Sequence, residues 1–492
     1  MLFNSYDFMV FFPIVILIYF IVPRKARYIW LLIASYYFYM GWNPKYALLI
    51  AISTVITYMS GRLLDKAESH RKWIVAGSFI TNIGILVFFK YFDFLLGNLN
   101  AALAVIGATP IDKPFDVLLP VGISFYTFQA LSYTMDVYRR EIPAEKNILR
   151  YALFVSFFPQ LVAGPIERSK NLLSQVAHVE EISLWDYERV TRGLMLMLWG
   201  LFQKMVIADR VAILVDTVYD SYWMYGSIEL ILATVLFAVQ IYCDFSSYST
   251  IAIGAARVMG FQLMENFSTP YFARSIKEFW QRWHISLSTW FRDYLYIPLG
   301  GNRCSRLRRY FNLMVTFLVS GLWHGASWSF IAWGGLHGSY QIIGDILRPW
   351  KERLIKKYKI RSESFSYKLG QAFITFVLVD FAWIFFRMNS FRYSLQLIGR
   401  IFTEWDPWVL FDKSLYDLGL SQQEMSIAGF AVLILILIDL VRYLRGKALD
   451  EALAGQCLWF RWGALLFLLF YIIIFGIYGP TFEAKQFIYF QF

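Results

Sequence analysis

Residues 311–347 read FNLMVTFLVSGLWHGASWSFIAWGGLHGSYQIIGDIL. Two apolar arms flank a short turn near Gly325 to Trp328. Basic clusters bracket the pair, at 303–309 and at 348–361. Lys and Arg collect on the cytoplasmic side of a membrane, so the pair enters from the cytoplasm and returns there. At ~1.5 Å of rise per residue, each arm reaches across most of a bilayer. The turn, with His324 in it, then lies well inside or beyond the apolar layer. Gly321 and Gly325 allow other backbone or a ligand to come close.

The rest of the chain is built in the same way. Of its 492 residues 58% are hydrophobic, 20% aromatic and only 16% charged. Soluble domains carry roughly 25% charged residues. Apolar runs recur along the whole length, so the chain reads as an all-α integral membrane protein. The net charge of +11 would favour nucleic-acid binding on a soluble protein; here cytoplasmic loops rich in Lys and Arg explain it, and no nucleic acid is expected as a partner. Cys243, Cys304 and Cys457 are too scattered for a disulfide framework. The five histidines form no HExxH pattern, so no metal site is expected. The first apolar run, Phe8 to Val22, has no basic leader and is followed by Arg24, Lys25 and Arg27. That order implies a retained span rather than a cleaved signal.

Apolar stretches at 8–23, 28–41, 46–60, 74–92, 116–138, 193–217, 228–250, 311–326, 328–347, 369–388, 426–441 and 462–479 predict about 11–13 transmembrane helices, with twelve as the working count. Basic clusters at 24–27, 62–72, 139–150, 303–309, 348–361 and 442–447 all fall on one side with twelve crossings, leaving both termini outside. Two stretches do not fit as plain spans: YALFVSFFPQLVAGPIER (151–168), broken by Pro159, Gly164 and Pro165, and YFARSIKEFWQRWHISLSTWFRDYLYIPLGG (271–301). Both read as re-entrant or interfacial. Broken backbone at membrane depth needs protein or water around it, so both are expected to line an internal cavity. No internal repeat, low-complexity tract or soluble domain interrupts residues 1–492, which read as one polytopic domain with an aromatic tail, 481–492, on the outside.

Several side chains are candidates for chemistry. A deep His324 has two readings: a general base that takes a proton from an attacking hydroxyl and returns it to the leaving group, or a histidine that bonds a neighbouring helix. His337, in GGLHG, has the same two. His284 lies among Trp280, Trp283 and Trp290, as part of an interfacial aromatic belt or as a polar group that orients a substrate. Lys204, Asp209, Arg210, Asp244 and Asp380 interrupt apolar runs. Ionisable groups at that depth mark a functional interior or a paired buried cluster, and the sequence does not say which pairs with which. Asp209 is a candidate supporting group, either for an imidazole or at the outer interface. Tyr489 is the one hydroxyl in the closing FIYFQF. A dozen tail residues at ~3.3 Å each reach about 40 Å at most, enough to bring it to mid-membrane.

Four stretches together resemble the membrane-bound O-acyltransferase family: LLPVGISFYTFQALSYTMDVYR (118–139), FFPQLVAGPIER (157–168), EFWQRWHISLSTWFRDYLYIPLGGNR (278–303) and SGLWHGASW (320–328). The opening FNSYDFMVFFPIVILIYF and the closing FIYFQF are similar to the bacterial branch typified by alginate O-acetyltransferases and D-alanyl-lipoteichoic acid transfer proteins. The resemblance spans nearly the whole chain. It implies a ring of tilted helices around a thinned centre, with re-entrant segments and a central tunnel joining the two faces. It places the family histidine at His324 and the second, less universal polar position at His284. It also implies an acyl relay on Tyr489.

The expected function is a multi-pass enzyme of a bacterial inner membrane. It would move an acyl group, taken as acetyl, from a cytosolic thioester such as acetyl-CoA to an exported polysaccharide or cell-wall polymer, through an external serine-hydrolase-like partner. Arg303 and Arg306 are candidates for the donor's phosphates; a plain cytoplasmic loop explains them equally well. The remaining alternatives are a transporter or polymer-export channel without acyl transfer, and a family member that acylates membrane lipid.

Overall fold

Helices form wherever the sequence is apolar, and the computed structural model describes them over residues 1–116, 119–161, 164–183, 186–388 and 390–478. Among the described residues there is no β-strand. Among the described residues, each of the twelve apolar stretches contains helix. By length and composition, six helices can cross a membrane: Tyr46–Lys66, Arg71–Val105, Ser227–Met259, Phe365–Arg387, Gln422–Arg445 and Leu458–Phe475. Tyr6–Ile21 is apolar but shorter. The protein is thus an all-α integral membrane protein. Tyr489 and the rest of the tail 481–492 lie outside the described residues.

Among the other helices, some are short and enclosed by protein. The stretch predicted as a span at 116–138 is helical only over Ile123–Tyr138, starting at Gly122 with φ +75°. Sixteen residues span about 24 Å, short of the ~30 Å apolar layer. All but Met135 and Tyr138 of this helix are buried. Its polar groups are satisfied inside the fold: Asp136 accepts from Ser169 at 2.6 Å, and the Tyr133 hydroxyl accepts from the Glu145 amide at 3.0 Å.

The chain divides into two compact units. The first comprises Met1–Met197 and Ser249–Met264. It contains the broken segment Ile148–Ser156 and Phe158–Leu161, in which residues 151–161 are all buried. Pro159 cannot continue the hydrogen-bond ladder, and the freed groups find side chains instead. The Phe158 amide donates to Ser35 Oγ at 3.1 Å, while the Phe154 carbonyl accepts from Gln129 and Gln160 at 2.6 and 2.8 Å. Broken backbone is thereby kept inside protein, as an apolar surround demands.

The second unit comprises Leu198–Tyr248 and the chain from Glu265 onward. Its centre is the hairpin read from sequence: Arg306–His324, a turn over 325–327, and Trp328–Lys357. Glycine sets how closely the arms meet. The Cα of Gly334 lies 3.3 Å from where a Cβ on Gly321 would sit, and the Phe330 carbonyl oxygen lies 2.2 Å from it. Gly334 meets the Phe317 carbonyl in the same way, at 2.2 Å. Backbone cannot swing aside as a side chain can. Gly321→Val should therefore force the arms apart and cost at least about 1–3 kcal/mol. Gly335→Ala is the control, since its Cβ would meet only Leu318 at an ordinary 3.6 Å. Thermal unfolding in detergent separates them: Gly321→Val melts lower and Gly335→Ala does not.

Candidate active site

Of the five histidines, His70 and His178 are exposed, whereas His284, His324 and His337 are buried in the second unit. Forty residues separate the first of these three from the second and thirteen the second from the third. Packing brings them into one aromatic cluster.

His324 ends the first arm of the hairpin and is 2% exposed. Trp333 from the second arm stands edge-on to it, with ring centres 4.9 Å apart at 86°. Trp323 lies at 5.0 Å and Phe386, from Phe365–Arg387, at 5.4 Å. Three helices thus close on one imidazole. Trp333 also stands 4.9 Å from His337, so it lies between the two rings. His337 is flanked by Phe279 and Phe317, and the Trp280 indole N–H donates to its Nδ1 at 3.2 Å.

His284 sits where the amphipathic stretch breaks, between Ile276–Arg282 and Ile285–Phe291. It is fully buried, and its ring centre is 6.4 Å from that of His324. Its φ is +43°, a left-handed conformation that a residue with a Cβ seldom adopts. This turn directs the ring inward, against the edge-on Phe245 at 4.6 Å. The segment before it holds the break in place. The Ser268 amide donates to the Arg282 carbonyl at 2.9 Å, and the Ile285 amide donates to the Asn266 carbonyl at 3.0 Å. Asn266 Oδ1 lies 3.0 Å from His284 Nδ1 and accepts from Ser286 Oγ at 2.9 Å and the Ser286 amide at 3.3 Å. Nothing in ENFST singles out Asn266 from sequence. Its importance follows only from what folds onto it.

Asp209 is elsewhere in the same unit. The helix Tyr187–Phe202 runs into a wide π-type turn, Gln203–Ala208, and continues as Asp209–Asp220. That turn carries Lys204 inward, where its ammonium meets Asp209 at 2.9 Å and Asp244 at 2.5 Å. The Tyr248 ring centre lies 5.7 Å from the same ammonium. Three charges that the sequence left unpaired are thus one buried cluster.

Arg303 and Arg306 are exposed, Arg303 in a bend and Arg306 as the first residue of the hairpin. Arg306 donates to the Tyr310 hydroxyl at 2.7 Å. Along the helix, Arg306 and His324 are about 27 Å apart at 1.5 Å per residue. A polar cavity of about 800 Å³ opens beside the His284 segment, lined by Ser268, Thr269, Glu278 and Arg282 and by Arg442 and Tyr443. Among the described residues no group of three or more His, Cys, Asp or Glu side chains is placed to hold a metal ion.

Residues 138–391 match the model of the membrane-bound O-acyltransferase family, a span that includes all three buried histidines. Among relatives, a probable alginate O-acetylase of Azotobacter vinelandii is 36% identical over 425 residues, covering 84% of this chain and 80% of the relative. The peptidoglycan O-acetyltransferase of Helicobacter pylori is 36% identical over 431 residues, 81% of this chain and 79% of its own. The teichoic acid D-alanyltransferase of Bacillus subtilis is more distant, at 24% over 355 residues, 69% and 84% of the two chains. A family model covering half the chain, relatives aligned over most of it and an apolar helical fold agree with one another. This chain belongs to the membrane-bound O-acyltransferase family and is a multi-pass O-acyltransferase of a bacterial inner membrane.

Proposed function

We propose that the protein takes an acetyl group from cytosolic acetyl-CoA and delivers it for O-acetylation of an exported polysaccharide or cell-wall polymer. The observation that carries this reading is the burial of His324 among Trp333, Trp323 and Phe386, with His284 beside it at 6.4 Å. The named activities of the relatives, on alginate and on peptidoglycan, support the polymer class.

The thioester end of the donor reaches His324 from the cytoplasmic side. Arg303 and Arg306 hold its phosphates, bidentate where the guanidinium allows. The ~27 Å along the helix from Arg306 to His324 calls for an extended donor whose reactive end penetrates the fold. His324 takes the proton of an attacking hydroxyl. The oxygen bonds to the acyl carbon, the carbon–sulfur bond breaks, and the proton passes from imidazole to the departing thiolate. His284 assists by orienting the reacting groups. Asp209 contributes by neutralising Lys204 within the wall of the unit. The attacking hydroxyl is that of Tyr489, and the acyl-tyrosine hands its group to an external serine-hydrolase-like partner that modifies the polymer. Direct transfer to the polymer is the simpler variant.

Membranes incubated with acetyl-CoA labelled in the acetyl group should place the label in the exported polymer fraction. Label in membrane lipid alone would instead favour a lipid-acylating enzyme, and transport without turnover of the thioester would remove the reaction. The relay has its own test. Mass spectrometry should find an added acetyl on the C-terminal peptide of the native chain. A Tyr489→Phe chain should lose both that mass and polymer acetylation; full activity in that chain would leave direct transfer in its place.

A further inference from the structure

We infer that Asn266 is a positioning residue that sets the tautomer of His284 and so decides which ring nitrogen is basic. The inference rests on the reading of His284 as part of the reacting site. Asn266 is 1% exposed and grips the break in the 276–291 segment at successive residues. Its backbone carbonyl accepts from the Ile285 amide at 3.0 Å, and its side-chain oxygen faces the Ser286 amide at 3.3 Å, Ser286 Oγ at 2.9 Å and His284 Nδ1 at 3.0 Å.

The chemistry of these donors identifies the atom. A backbone N–H can only donate, so the Asn266 atom facing Ser286 must be the carbonyl oxygen and not the amide nitrogen. That oxygen has no proton to give. His284 Nδ1 must therefore donate to it, and in the neutral ring the lone pair is left on Nε2. The backbone contact adds position to tautomer. At φ +43° the His284 backbone is in a region that needs holding, and the bond from the next amide to the Asn266 carbonyl holds it. One residue therefore fixes where the imidazole stands, how it is turned and which nitrogen is a base. Buried partners of a reactive imidazole act in this way on metal-bound histidines too.

The test uses the full-length chain in detergent or nanodiscs, with 15N-labelled histidine. Solid-state NMR distinguishes protonated from bare ring nitrogens, and comparison with a His284→Ala sample assigns the signal. In the native chain His284 should be protonated at Nδ1. Asn266→Ala should lose that preference and lower kcat by about 10–100-fold, with KM for acetyl-CoA little changed. Asn266→Asp keeps an acceptor and should restore the tautomer and most of kcat. Its carboxylate favours the imidazolium, so the acid limb of the pH–rate profile should move to higher pH, a change that a purely structural role would not produce. Because Asn266→Asp is nearly isosteric, the profile decides the matter even if the alanine chain fails to fold. An Asn266→Ala chain with unchanged tautomer and kcat, or an Asn266→Asp chain with an unmoved acid limb, would overturn the inference. His284→Ala separates the two levels. If that chain keeps native kcat, the reading of His284 as part of the site falls. If it is impaired while Asn266→Ala is not, only the role of Asn266 falls.

Discussion

A His324→Ala chain is expected to lose acetyl transfer by about 10²–10⁴-fold while still reaching the membrane. The size follows from the proposed role as general base, which the rings packed on it, Trp333, Trp323 and Phe386, cannot take over. The fold should tolerate the change better than the chemistry does. His324 stands at the last position of its helix, so alanine shortens a side chain without interrupting a hydrogen-bond ladder. Labelled-acetyl transfer is measured beside thermal unfolding in detergent. Native transfer rates in that chain would refute the role of His324. Lost transfer together with a collapsed melting temperature would call for His324→Asn, which keeps volume and polarity but supplies no base.

Lys204→Met should act in the opposite way, on stability first. Lys204, Asp209 and Asp244 are all buried, and the ammonium lies within 3 Å of both carboxylates, at 2.9 and 2.5 Å. Methionine has a similar length and no charge. Two carboxylates would then remain in a low-dielectric interior without their cation. Removing one partner of a buried pair costs about 3–5 kcal/mol, enough to lower the melting temperature markedly and the yield of folded protein with it. Neutralising the whole cluster, as Lys204→Met with Asp209→Asn and Asp244→Asn, should recover much of that loss, since an uncharged set leaves no unbalanced charge. A single Lys204→Met chain with a native melting temperature would show that the cluster adds little to the fold.

Local patterns in the sequence lead directly to much of this protein. Hydropathy over windows of about 20 residues locates the helices, because that signal depends only on neighbours in the chain. The turn near 325–328 is legible for the same reason: Gly325 and Ser327 interrupt two apolar arms. What hydropathy alone misjudges is how much of a helix meets lipid. Ile123–Tyr138 looks like part of a span but is short, polar on several sides and enclosed by protein. A window cannot see an enclosing neighbour.

The residues 320–328 and 278–303 also carried the family resemblance, and with it the choice of His324 and His284. Their meeting was not legible. His284 and His324 are forty positions apart, Asn266 lies on a third segment, and Lys204 and Asp244 lie on two helices. The sequence by itself determined the membrane class, the helices and the candidate histidines, since each is written in adjacent residues. Only the tertiary structure decided that Asn266 holds His284, that Trp333 lies between two imidazoles and that Lys204 takes both aspartates. Those pairings arise when distant helices exclude lipid and water and must satisfy one another's polar groups, a condition that no stretch of chain contains alone.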